Sequence, residues 1–309
     1  SLRPPSTLVL AERDASMLHV ATKLVVGCSA MAMAATPLVI PAGDSLSSHG
    51  MISSMPTIVV ASGSVDYPEP GEFLRDGYPV DPPRLRASLE HPVEIAEFQV
   101  TVAEYARCVA DRACKKGPTG SGRAADMPVT GVSYDDATAY AAWYSRKSGT
   151  VWRLPTDLEW AVAAAERFRE ASVRIERDAR NPSKAWLQRY AFEAAPSGFA
   201  ARAQLAGTFG ANSRGIYDLS GNVWEWTSSC YTRSIITNDG RVQVGTDYCG
   251  VHVVEGRHRT YMSNFIRDAK GGGCAAGTPP DNLGFRLVRD RSLKASLTLL
   301  LDNLRRRFG

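Results

Sequence analysis

The chain has 309 residues, room for one large domain or two small ones, and its 44% apolar and 22% charged content is that of a soluble protein with a real core. Its net charge of +4, from 36 basic and 32 acidic residues, is too mild to point to nucleic acid. No run of about 20 apolar residues is present, which excludes an ordinary membrane-spanning helix.

The first 55 residues read as a signal-like segment and linker. Lys23 precedes a short apolar stretch, and Ala32-Met33-Ala34 fits a small-x-small cleavage site. The rival reading is a lipobox at Val25-Val26-Gly27-Cys28, which leaves too short an apolar region before the cysteine. Residues 41–55 are rich in Ser and Gly and read as a linker. A domain over 56–289 and an amphipathic helix over 290–309 complete the expected organisation.

Within the domain, residues 57–61 are a β-branched run and read as a first strand. A Pro- and Gly-rich loop is expected to about Leu89. Residues 93–100 alternate apolar and polar, which predicts a half-buried strand. Thr101-x-x-Glu104, Ser133-x-x-Asp136 and Thr156-x-x-Glu159 are capping-box patterns that predict three helix starts. The second helix is expected over 135–147, and the third from 156 with an extension to about Arg177. Residues 178–213 read as irregular, with short strands after them near 223–227, 270–274 and 284–288. The five histidines are scattered, and His252 and His258 read as ordinary surface residues of a polar loop.

With Cys28 removed, five cysteines remain. Cys108 with Cys114, and Cys230 with Cys249, are spaced for local disulfides in an oxidising compartment, with packed free thiols as the rival reading. Cys274 is left over. Neither pair has metal-site spacing.

The densest stretch is residues 215–226, Gly-Ile-Tyr-Asp-Leu-Ser-Gly-Asn-Val-Trp-Glu-Trp. Asp218, Asn222 and Glu225 lie among large apolar residues, so their polar groups need hydrogen bonds or a metal. Carboxylates interleaved with turn carbonyls suit a hard cation such as calcium.

Gly-Asn-Val-Trp-Glu-Trp, together with Pro-Val-Thr-Gly-Val-Ser-Tyr-Asp-Asp-Ala at 128–137, Arg-Leu-Pro-Thr-Asp-Leu-Glu-Trp at 153–160, Lys-Gly-Gly at 270–272 and Asn-Leu-Gly-Phe-Arg at 282–286, resembles the ordered blocks of the formylglycine-generating-enzyme family, also called sulfatase-modifying factors. The resemblance implies an α+β, C-type-lectin-like fold with little regular secondary structure. It also implies a structural calcium held by the side chains of Asp218 and Glu225 and the carbonyls of Gly221 and Val223. A second family calcium site has no counterpart, because residues 201–212 hold almost no carboxylates.

Enzymes of the family oxidise a sulfatase cysteine to formylglycine at copper(I) held by two cysteines of one loop, a soft metal suited to thiolates. Here that loop has a single cysteine, Cys274, and reaches Gly284 about ten residues early, so copper is not expected. An iron-dependent branch of the family needs a His and Glu cluster that this chain lacks. The expectation is an exported, non-catalytic domain that binds a partner protein or ligand. The alternative is a formylglycine-generating oxidase working through Cys274 and a thiol from elsewhere. Beyond the domain, Leu293, Leu297, Leu300, Leu301 and Leu304 recur at helical spacing and are followed by Arg305, Arg306 and Arg307. The helix 291–308 is expected to pack on its own domain or to meet a partner or anionic membrane surface.

Overall fold

Each helix begins where a hydroxyl residue stands three positions before an acid. In the computed structural model, α1 (Val102–Ala110), α2 (Tyr134–Ser148) and α3 (Asp157–Ala164) are capped by Thr101, Ser133 and Thr156, and all three capping boxes are closed reciprocally. The structure describes residues 54–117, 124–168, 202–267 and 282–292, with helical positions at 184, 187, 297–301, 304 and 305. The chain divides into units 1–48 and 49–309, and all of these residues belong to the second.

The strands, in chain order, are β1 (Thr57–Val60), β2 (Ser64–Pro68), β3 (Glu72–Arg75), β4 (Tyr78–Val80), β5 (Arg84–Ser88) and β6 (Val93–Ala96). They continue with β7 (Val151–Arg153), β8 (Trp224–Ile236), β9 (Val242–Gln243), β10 (Asp247–Glu255), β11 (Thr260–Ser263), β12 (Leu283–Gly284) and β13 (Val288–Asp290). One sheet has the order β1-β6-β13-β7. A second runs β11-β10-β8-β3-β4, with β12 and β9 also paired to β8, and β2 pairs with β5.

Three expectations are corrected. The stretch before Leu89 is four short strands rather than a loop: Asp76 and Gly77, both at positive φ (53° and 79°), make the tight β3–β4 turn. The strand expected over 93–100 ends its pairing at Ala96, and residues 97–100 instead run past the central turn. Tyr217 N–H donates to the Glu97 carbonyl at 3.0 Å, and Val100 N–H to the Phe285 carbonyl at 2.9 Å. Helix α3 stops at Ala164, because the Asn212 side-chain amide donates to the Ala163 and Ala164 carbonyls (2.7 and 3.1 Å) and Ala165 turns to φ 50°. Residues 169–177 lie outside the described residues, as do the segment 268–281 with Cys274 and the strand expected there.

Side chains on a strand alternate faces. Trp224 and Trp226 of β8 therefore join one core cluster with Tyr140, Tyr144, Phe285 and Leu287. Glu225 turns the other way, toward Trp160 of a second cluster with Ile216 and Leu219. Disulfides Cys108–Cys114 and Cys230–Cys249 are both formed. His252 and His258 are not surface residues: they are 3% and 5% exposed. Position 252 lies on β10 and faces β8 across the sheet, rather than standing in a polar loop.

Candidate functional site

Three non-glycine residues of the central turn sit in the left-handed region, Asp218 (φ 60°), Ser220 (55°) and Asn222 (65°). Such positions cost about 1–3 kcal/mol each and persist only where the surroundings enforce them. Here each is held by its own side chain. The Asp218 carboxylate accepts from the N–H groups of Gly207 (2.6 Å) and Phe209 (2.9 Å). The Ser220 hydroxyl donates to the Arg167 carbonyl at 2.5 Å. The Asn222 amide both accepts from the Gln204 N–H (2.8 Å) and donates to the Gln204 carbonyl (3.1 Å). Gly221 is required by space: a β-carbon there would stand 2.9 Å from the Phe209 ring.

Behind the turn lies an ion pair closed to solvent. Arg286 donates to Glu225 through Nε (2.6 Å) and Nη2 (2.8 Å). Its remaining donors reach the carbonyls of Ala96 (3.2 Å), Glu97 (3.3 Å) and Tyr217 (2.9 Å). Trp160 Nε1 (2.9 Å) and Gln99 Nε2 (2.7 Å) complete the donors to Glu225. One guanidinium thus ties the end of β6, the central turn and β8 together.

This arrangement bears on the calcium expectation. The Asp218 and Glu225 carboxylates do not face a common point, since Asp218 is spent on residues 207 and 209. The Asp218 carbonyl, the Gly221 carbonyl and Glu225 Oε1 do converge, but on Gln99 Nε2, at 3.4, 3.3 and 2.7 Å. Gln99 is 1% exposed. Val223 is not among the groups that meet there. A hard cation at this point would have to expel the Gln99 amide and share Glu225 with Arg286, whose charge already balances it. The residues present therefore do not fit the calcium site expected from the sequence. Among the described residues, no group of three His, Cys, Asp or Glu is arranged to hold a metal.

A second polar cluster has no counterpart among the expectations. Arg259 pairs with Asp157 (2.8 Å) and Glu255 (3.0 Å), donates to the Pro68 carbonyl (2.7 Å) and lies 4.8 Å from the centre of the Tyr67 ring. The Tyr67 hydroxyl donates to Asp157. Burial, and then the charge of Asp157, hold the Glu255 carboxyl well above the usual carboxylate range and raise the Tyr67 hydroxyl too. One arginine faces two carboxylates, which pushes Glu255 toward its protonated form. In sequence, Asp157 is visible only as the position after the cap residue Thr156. Glu255 and Arg259 lie in a segment that reads as polar loop.

The fold and turn define an α+β domain organised on a Trp-Glu-Trp strand, with its central turn locked by hydrogen bonds. The Sulfatase-modifying factor enzyme 1-like domain family matches residues 46–291, and the chain belongs to that family. It is 32% identical over 163 residues to the mouse Inactive C-alpha-formylglycine-generating enzyme 2, covering 52% of this chain and 48% of the relative. It is 29% identical over 179 residues to the Formylglycine-generating enzyme of Streptomyces coelicolor, covering 54% of each. The chain thus spans about half the length of the curated relatives it matches. Among solved structures, PvdO from Pseudomonas aeruginosa aligns over 76% of this chain and 94% of its own, at 22% identity and a TM-score of 0.49.

Proposed function

We propose that this is a non-catalytic member of the family, exported, whose domain binds a partner protein or ligand. The observation that carries the reading is the engagement of thiols. All four cysteines among the described residues are paired in disulfides, Cys108 with Cys114 and Cys230 with Cys249. None of them is free to join Cys274 as the second thiolate of a copper site. The two disulfides also support export, since such bonds persist in oxidising compartments. No helix among the described residues is long and apolar enough to cross a membrane.

The tail supplies a candidate contact surface. Leu297, Leu300, Leu301 and Leu304 are between 43% and 57% exposed, while Leu299 lines a cavity together with Val151 and Arg291. Their exposure supports a partner or anionic membrane contact through 291–308, which vesicle flotation with and without the tail tests.

The main test is an aldehyde assay. The purified chain is incubated with copper, oxygen and a peptide carrying the sulfatase-type Cys-x-Pro-x-Arg motif, beside a Cys274→Ser variant. No formylglycine by mass spectrometry is expected. Conversion that is lost in the variant would establish the oxidase instead.

A further inference from the structure

The Cys230–Cys249 disulfide differs from its counterpart at the end of α1. Cys108 and Cys114 are both buried (0% and 8% exposed), whereas Cys249 is exposed and Cys230 half-buried. Cys249 also lies in a break of the β8–β10 ladder. Tyr248 faces Tyr231 and His252 faces Cys230, so residues 249–251 have no opposite residues. The extra residues of such a bulge are left unpaired in the ladder.

His252 is set against the inner sulfur. Its Nε2 lies 3.9 Å from Cys230 Sγ. Its tautomer follows from Asn264. The Asn264 Nδ2 donates to the Cys249 carbonyl at 2.9 Å, which turns Oδ1 toward His252 Nδ1 at 2.6 Å. Nδ1 therefore carries the proton, and the Nε2 lone pair faces sulfur. Tyr134 stacks on the ring at 3.6 Å, fixing its plane. Burial lowers the imidazole pKa, while Asn264 and the Asp135 charge oppose that shift.

We propose that Cys230–Cys249 is a thiol–disulfide exchange site that takes a small or peptide thiol at Cys249, with His252 as the proton acceptor. The incoming sulfur bonds to Cys249 Sγ and the Cys230–Cys249 bond breaks. The incoming thiol attacks as the thiolate, its proton lost to solvent; the electron pair of the broken bond leaves on Cys230 Sγ, and His252 Nε2 takes up a proton from solvent as charge develops on that sulfur. The product is a mixed disulfide on Cys249 beside a thiolate–imidazolium pair at Cys230 and His252. The incoming thiol is oxidised to disulfide level and Cys230 is reduced, so no other redox partner is needed. A second thiol would resolve the adduct. This pairing lies outside the loop that carries Cys274, and it stands whether or not the chain oxidises a sulfatase.

The test uses the full chain, folded, in glutathione buffers. After quenching with iodoacetamide, each cysteine peptide is read by mass spectrometry. The expected pattern is glutathione on Cys249, alkylated Cys230 and an intact Cys108–Cys114 bond. In a Cys249→Ser variant, alkylation of Cys230 against pH should have its midpoint below the ordinary thiol value of about 8.5. Adding His252→Gln should slow that alkylation about tenfold near neutral pH. Glutathione on Cys230, both disulfides opening only on unfolding, or an ordinary Cys230 midpoint would each overturn the proposal. Should the double variant not fold, the midpoint in Cys249→Ser alone decides.

Discussion

Glu225 and Arg286 form an ion pair in which neither side chain reaches solvent, 1% and 0% exposed, at 2.6 Å. Removing one partner of such a pair leaves an uncompensated buried charge and costs about 3–5 kcal/mol. Arg286→Met should therefore unfold at much lower denaturant, with added loss from the stranded carbonyls of Ala96, Glu97 and Tyr217. Combining it with Glu225→Leu should cost less than the sum of the two single changes. A double-mutant cycle by urea unfolding reads this, and strict additivity would show that the pair does not act as a unit.

The left-handed turn residues make a graded prediction. Asp218→Ala removes both acceptors of the Gly207 and Phe209 N–H groups and leaves a residue poorly suited to φ 60°. The expected loss is about 2–4 kcal/mol. Asp218→Asn keeps an acceptor and tolerates the left-handed backbone, so its loss should be smaller. Equal losses for the two, by urea midpoint, would mean that the carboxylate bonds do not hold the turn.

The upward shift of Glu255 beside Asp157 and Arg259 fixes the sign of a pH dependence. Glu255 binds its proton in the folded state at pH values where the unfolded chain, at about 4.5, has released it. Folding then takes up a proton, and the contribution of Glu255 to stability falls as pH rises above that value. Glu255→Gln imitates the neutral form: its amide oxygen can accept from Arg259 and its nitrogen donate to Asp157. The variant should hold its melting temperature better than wild type as pH rises from about 5 to 8. His252 and His258, whose pKa values burial lowers, pull the opposite way below their usual range. They are present in both proteins, so the difference between the two curves isolates Glu255. Parallel curves would contradict the assignment.

Local rules are enough for the helix starts, because a capping box is complete within four residues. The disulfide partners are also local, six and nineteen residues apart in sequence. The paired status of Arg286 is within reach of the same reasoning: an arginine beside Phe285, Leu287 and Val288 must be compensated, and Glu225 between two tryptophans is a matching charge. Other features are not local. Gln99 reads as one more residue of an alternating strand, and only the break after Ala96 carries it under the central turn. The Arg259 cluster joins positions 67, 157, 255 and 259, which come together from β2, α3, β10 and the turn after it, and no periodicity marks them. His252 reads as exposed because β10 is interrupted by its bulge, which spoils the strand alternation.

Gln99 provides the sharpest test of the central turn. Its amide nitrogen stands where three oxygens converge, and its own Oε1 is buried with no hydrogen-bond partner. If the nitrogen supplies the positive end that a cation would otherwise provide, chelators should leave the melting temperature of the wild-type protein unchanged, and added calcium should not raise it. Gln99→Glu exchanges the donor for a carboxylate oxygen among oxygens, beside a Glu225 already matched by Arg286. Without calcium it should be destabilised by about 3 kcal/mol or more, the cost of an unpaired buried charge. With calcium the new carboxylate, Glu225 and the carbonyls of residues 218 and 221 offer an all-oxygen set, and stability should return with calcium concentration. Four melting curves decide it, wild type and variant, each in chelator and in calcium. A wild-type curve that drops in chelator would show that the amide yields to a cation after all, and the reading of Gln99 as its replacement would fail.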